Sequence, residues 1–200
     1  MDGVKRRAVS NPLGLAVLAF LLWEPMHPYE LGRRLKETDK ERNFKYNRGS
    51  LYMVVNQLKK AGFIVERETV RDTQRPERTV YELTEEGRAE LYDWLRELMA
   101  RPREEYPHFG AALSFVGVLA PEEAVELLGR RAEALEALAE EARAKVKAAT
   151  DQGVAWVFLV EEEYRLEVLD AERRFVGRLA ESLSDPDYVR EWQRIFGSRS

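Results

Sequence analysis

The sequence predicts a mainly α fold broken once by a two-stranded hairpin, with a basic first part and an acidic, all-helical remainder. Three observations carry this. Apolar residues recur at helical spacing over most of the chain, only residues 65–83 alternate around a polar turn, and the charge changes sign along the chain. Residues 1–80 hold 16 Lys and Arg against 10 Asp and Glu, and residues 81–200 hold 16 against 26. The net charge of -4 is therefore a half at +6 and a half at -10. A basic half suits a phosphate partner, and an acidic helical half suits solvent and self-association.

A chain of 200 residues, 44% hydrophobic, suits one medium domain or two small ones with a proper core. With no cysteine and two histidines far apart, neither a disulfide framework nor a zinc site is expected, and no metal or cofactor is predicted. Leu13 to Trp23 is the most apolar run and is too short for the roughly 20 residues that span a bilayer. It lacks a small-residue cleavage site, so it reads as a core helix of a cytoplasmic protein without a membrane partner.

Lys5, Arg6 and Arg7 form a basic arm, either a solvated terminus or a phosphate contact. Asn11 caps a first helix opening at Pro12, where a missing N–H costs nothing, with Leu13, Ala16, Val17, Phe20 and Leu21 on its buried face. The segment from Pro25 to Pro28 ends it. Residues 29–38 give a second helix with Leu31 and Leu35 inward, and His27, without a second ligand or nucleophile nearby, reads as capping or packing. After the polar stretch from Asp39 to Tyr46, Asn47 or Ser50 caps a third helix that Gly62 ends. Its inner face is Leu51, Val54, Val55 and Leu58, and its outer face is Tyr52, Asn56, Lys59 and Lys60. Residues 65–70 and 79–83 read as strands joined by a polar turn holding Pro76. Thr84 caps a fourth helix, Glu85 and Glu86 suit the positive end of its dipole, and Leu91, Trp94, Leu95 and Leu98 mark its core face. Pro102 and Pro107 break the pattern and place a linker between a domain at 1–100 and a second at 108–200.

The second domain reads as a short apolar helix over 109–119, a long one from Pro121 to Ala149, a break at 151–153, a second long one over 154–183, and a last short one over 188–196. At about 1.5 Å per residue the helix over 154–183 would be about 45 Å long. Its stripe of Leu159, Leu166, Leu169, Phe175, Val176, Leu179 and Leu183 exceeds the apolar surface a monomer normally exposes. The expected consequence is a homodimer made through Leu166, Leu169, Val176 and Leu183. Trp156, Phe158, Tyr164, Phe109 and Phe115 either fill a helical core, which their spacing favours, or line a cavity for a small apolar effector.

Helix, helix, basic helix, hairpin is the order of the winged helix-turn-helix, in which the third helix enters a DNA groove and the hairpin touches the flanking backbone. On this reading Ser50, Tyr52, Asn56 and Lys59 reach the groove of double-stranded DNA, and Lys45, Arg48 and Lys60 lie nearer phosphates. Arg71, Arg75 and Arg78 hold backbone from the wing, unless Arg67 and Arg71 pair with Glu66 and Asp72 instead. The expected function is a sequence-specific transcriptional regulator, most simply a repressor acting as a homodimer. A winged helix that docks only protein, or a small α+β domain that binds nothing, uses the same elements. No enzyme is expected: there is no Gly-rich phosphate loop, no G-x-S-x-G elbow and no metal-ligand pair at helical spacing, and no residue is singled out as catalytic. Glu161, Glu162 and Glu163 point about 100° apart on a helix and read as a solvated face.

Four segments carry a resemblance over nearly the whole chain: LGLAVLAFLL followed by HPYEL, GSLYMVVNQLKKAGFI, RTVYELTEEGRAEL, and EEEYRLEVLDAERRF. The chain resembles the PadR family of bacterial transcriptional regulators, most specifically in the Leu51-Tyr52 pair after a small residue and in the run Tyr81-x-Leu83-Thr84-x-x-Gly87. It departs from that pattern at Pro28, Met53 and Gln57, where family members often have Gly, Pro and a basic residue, so no operator sequence is carried over. The resemblance implies a homodimer packed through C-terminal helices, with its winged helices in successive major grooves. The two long helices look like the branch with an extended dimerisation domain.

Overall fold

Asn11 sets where the chain first becomes helical. Its side-chain oxygen accepts from the Leu13 N–H at 3.0 Å, and Pro12 takes the first position of α1 (Pro12–Leu21). The computed structural model describes residues 7–44, 46–70 and 78–197, and the chain divides into two units, Met1–Glu104 and Glu105–Ser200. Among the described residues no helix is long and apolar enough to cross a membrane.

In the first unit α1 packs against α2 (Pro28–Glu37), α3 (Arg48–Lys60), β2 (Arg78–Leu83) and α4 (Glu85–Ala100). Surrounded in this way, it buries Leu18 as well as Leu13, Ala16, Val17 and Leu21, while Phe20 is only partly buried. One helical face was therefore too narrow an expectation. His27 caps α2, its Nδ1 accepting from the Tyr29 N–H at 3.0 Å. A short 3-10 turn, Lys40–Asn43, then leads toward α3.

Helix α3 ends in a left-handed glycine, Gly62 at φ 76°, with the Phe63 N–H returning to the Leu58 carbonyl and the Gly62 N–H to that of Lys59, both at 3.0 Å. That turn delivers the chain into β1 (Ile64–Val70), which pairs antiparallel with β2 from Ile64–Leu83 to Val70–Arg78, with one irregularity between Glu66 and Glu68. The loop between α1 and α2 joins the sheet at one point, Met26 and Tyr81 exchanging both backbone hydrogen bonds at 3.0 Å.

Thr84 fastens the wing to α4. Its backbone N–H donates to the Phe63 carbonyl at 3.1 Å, and its hydroxyl donates to the Gly62 carbonyl at 2.8 Å while accepting from the Gly87 N–H at 3.0 Å. Gly87 faces the Phe63 carbonyl so closely that a Cβ would overlap the oxygen. Along α4 only Leu91 and Trp94 of the expected core face are buried; Leu95 and Leu98 are exposed within the unit. The place of more apolar packing is taken by Glu90 and Glu97, which bind the buried Arg7 at 2.5 and 2.6 Å, with its guanidinium 5.4 Å from the centre of the Trp94 ring. Arg7 is thus an internal clamp and has no charge left for a phosphate, while Lys5 and Arg6 lie outside the described residues. Hydrogen bonds from Arg103 and Arg7 hold the Glu97 carboxyl below the usual carboxylate range.

In the second unit the expected helix over 109–119 is two pieces, α5 (His108–Leu113) and a 3-10 turn, Val116–Val118. Helix α6 (Pro121–Asp151) ends at Gly153, φ 79°, with the Val154 N–H returning to the Ala149 carbonyl at 3.0 Å. The chain leaves this turn extended at Ala155 and makes a 3-10 turn over Trp156–Phe158, so α7 (Val160–Leu183) starts six residues later than its apolar pattern predicts. Its 24 residues span about 36 Å. Three β-branched residues at 154, 157 and 160 weaken helix formation there. Helix α8 (Pro186–Phe196) closes the unit, Trp192 donating through its indole N–H to the Gly117 carbonyl at 2.9 Å.

Helices α6 and α7 form a hairpin whose seam holds Ala124, Leu128, Leu135, Val176 and Leu183, with Leu169 and Leu179 packed against it. This corrects part of the expected dimer stripe. Val176 and Leu183 are 1% and 5% exposed and Leu169 packs half-buried against the same seam, because α6 of the same chain supplies the cover assigned to a partner; Leu166 is half-buried and is not part of that seam. The exposed side of α7 is the other one, with Val160, Tyr164, Val168 and Phe175. Trp156, Phe158 and Tyr164 are more than half exposed, so these three aromatics do not fill the core.

Gly87→Ala must displace the Phe63 backbone and should lower stability by about 1–3 kcal/mol. Gly129→Ala, on an open surface of α6, should be neutral or slightly stabilising. Urea unfolding of both variants checks the contrast.

Candidate nucleic-acid interface

Helix α3 begins in a reciprocal cap. The Asn47 side chain accepts from the Ser50 N–H at 2.8 Å, and the Ser50 hydroxyl accepts from the Asn47 N–H at 3.0 Å and donates to the Asn47 carbonyl at 2.8 Å. Ser50 is thus a capping residue whose hydroxyl is engaged by Asn47. With Leu51, Val54, Val55 and Leu58 buried, the helix cannot rotate without exposing its core face.

The opposite face carries half-buried Tyr52 and exposed Asn56, Lys59 and Lys60, with Met53 also exposed. Arg48 lies over the Tyr52 ring, 6.0 Å from its centre. Lys59 is paired with Glu66 of β1 at 2.6 Å, and this hydrogen bond raises the lysine pKa. Burial raises the Tyr81 phenol beside the same carboxylate. Lys59 therefore reaches the interface already matched by a carboxylate, whereas Lys60 has no partner among the described residues.

On the wing, Arg67 sits 3.5 Å from Glu82 across the hairpin, so its partner is the facing strand and not Glu66. Lys45, Arg71 and Arg75 lie outside the described residues. Arg78 opens β2, but its side chain also lies outside the description. Of the expected contacts the structure thus brings together Arg48, Tyr52, Asn56, Lys59 and Lys60 on one helix. Periodicity left out the exposed side of α2, where Tyr29, Arg33 and Lys36 line a groove shared with Arg48 and Tyr52. The available signal was Gly32, a helix-interior glycine that marks a close approach. Among the described residues no group of His, Asp and Glu could hold a metal ion.

Comparisons with known proteins agree with this geometry. Residues 17–93 match the model of the transcriptional regulator PadR-like family. No curated protein matches the sequence. The structure of Bacillus subtilis PadR in complex with operator DNA is similar at a TM-score of 0.68 and 21% identity, over 86% of this chain and 99% of that one. Bacillus subtilis PadR in complex with p-coumaric acid matches at 0.68 and 17%, over 88% and 99%. The Vibrio cholerae virulence activator AphA matches at 0.65 and 18%, over 86% and 97%. At these identities the likeness establishes the fold. Residues 17–93 are a PadR-like transcriptional regulator domain, and the chain as a whole has the winged-helix and helical architecture of PadR regulators.

Proposed function

We propose that the protein is a sequence-specific DNA-binding repressor that works as a homodimer, with residues 1–100 on the operator and residues 108–200 making the dimer. The observation that carries the DNA reading is the outward face of α3. A capped helix, locked in rotation by its core face and tied to the wing, turns Tyr52, Asn56 and Lys60 to solvent within the part of the chain, residues 1–80, that carries a +6 charge. A structural neighbour bound to operator DNA supports the same use of the fold. On this reading Tyr52 and Asn56 meet base edges, Arg48 and Lys60 meet phosphates, and Lys59 joins them by exchanging Glu66 for a phosphate.

The dimer rests on the exposed side of the second unit. Trp156 and Tyr164 are 64% and 72% exposed, and Val160 and Val168 continue the same apolar region along α7. In a two-fold dimer this patch meets its own copy. A small apolar effector belongs to the same proposal: Phe109, Phe115, Leu119 and Leu128 line a cleft of about 220 Å³ beside α6, and a neighbour of the same fold was solved with p-coumaric acid.

Mobility shift with duplex from just upstream of the coding sequence is the decisive test of function. The log of the affinity should fall with log salt by about 0.9 for each phosphate contact. If neither this duplex nor competitor DNA shifts at low salt, the winged helix docks protein instead. Val168→Glu should give a folded monomer in sedimentation with DNA affinity reduced; a variant that stays dimeric would place the contact on another face.

A further inference from the structure

The groove between α2, the 3-10 turn and the start of α3 has a volume of about 750 Å³, and Arg33, Lys36, Arg42 and Arg48 all border it. Two of these charges are matched within the protein. Arg33 pairs with Glu30 at 3.1 Å and Glu37 at 3.5 Å, and Arg42 pairs with Asp39 at 3.0 Å. Lys36 and Arg48 have no carboxylate partner among the described residues; each faces a tyrosine ring, Tyr46 and Tyr52 respectively, with 6.0 Å to the ring centre. A ring face positions a cation through its quadrupole but leaves its N–H groups able to donate elsewhere.

Two further features suit an anion. Arg48 is the first residue of α3, whose first turn contains no acidic residue, so a positive side chain sits against the positive end of the helix dipole. The arrangement opposes helix stability until negative charge arrives. The groove floor is also built for the purpose: the Tyr46 hydroxyl lies 2.5 Å from where a Cβ on residue 32 would be, so Gly32 is what lets the ring lie against α2. Any larger residue there would push away the ring that carries Lys36.

We propose that Lys36 and Arg48 close around one phosphate of the DNA backbone per protomer, making α2 an anchor on the operator separate from the wing. This rests on the DNA-binding reading above. The DNA backbone is the occupant because the groove is continuous with Tyr52 and Arg48 of the helix that faces the bases, and the helix preceding it in this motif crosses the backbone.

The test uses the full chain, the upstream duplex and a scrambled duplex, with affinity measured by anisotropy between about 50 and about 200 mM salt. Lys36→Ala and Arg48→Ala should each weaken both duplexes by the same factor and reduce the salt slope by about 0.9 per protomer, and Lys36→Arg should retain the wild-type slope. Arg96→Ala on the exposed surface of α4 should change neither. All three positions are exposed, so folding is retained in each variant. An unchanged slope in Lys36→Ala, with wild-type binding intact, overturns the anchor. Failure of the wild type to bind either duplex removes the DNA reading itself.

Discussion

The closeness of Gly87 to the Phe63 carbonyl is the constraint on which the first unit depends. At this point the end of α3, the base of the wing and the start of α4 share one set of hydrogen bonds, with Thr84 joined to Gly62, Phe63 and Gly87. A side chain at 87 would force these elements apart. Because Gly62 can adopt a left-handed turn and Gly87 has no Cβ, the helix that carries Asn56 and the hairpin beside it leave the junction in fixed directions. The Met26–Tyr81 bridge adds a hold on β2 from the other side, and the Lys59–Glu66 pair ties the outer surfaces of α3 and β1. Position and chemistry are separated: buried residues aim the helix, and exposed ones are left to bind.

The second unit is organised by a different device, a long hairpin with two apolar sides. One side is consumed internally, where α6 buries small residues such as Ala124, Ala139 and Ala142 along with Leu128 and Leu135. Ion pairs such as Arg131 with Glu172 and Arg173 with Glu136 run along its edge. The other side keeps Trp156, Tyr164 and Val168 in solvent. A helix that is apolar on two sides has one partner within its chain and room for another outside it.

Local rules were legible in the sequence where local chemistry decides. Asn11, Asn47 and Thr84 all cap helices, and Gly62 and Gly153 both adopt positive φ. The four inward residues of α3 follow directly from spacing. What periodicity could not supply was which neighbour covers which face. The stripe ending in Val176 and Leu183 was correctly apolar, but a sequence does not say whether its cover comes from the same chain or another. Leu95 and Leu98 failed for the opposite reason: Arg7, 83 residues before Glu90, turns part of the α4 face into an ionic contact. Ser50 shows a third limit, since the residue types that cap helices are also those that read bases. The start of α7 was misplaced because apolar β-branched residues continue the hydrophobic run without continuing the helix.

The charges of the candidate interface fall into two groups, those matched in advance by carboxylates and those left with rings or solvent. Lys59, Arg67 and Arg33 belong to the first group, and Lys36, Arg48 and Lys60 to the second. On the proposed DNA reading, unmatched charges would fix affinity without reading sequence, and specificity would fall to Tyr52 and Asn56 on the outward face, Asn56 being the polar side chain at its middle. The most direct measurement of this account is the affinity of Asn56→Ala for a set of operator duplexes that differ by single base pairs. The account predicts that discrimination is lost at one base pair while the salt slope stays at the wild-type value; an equal loss on every duplex would contradict it.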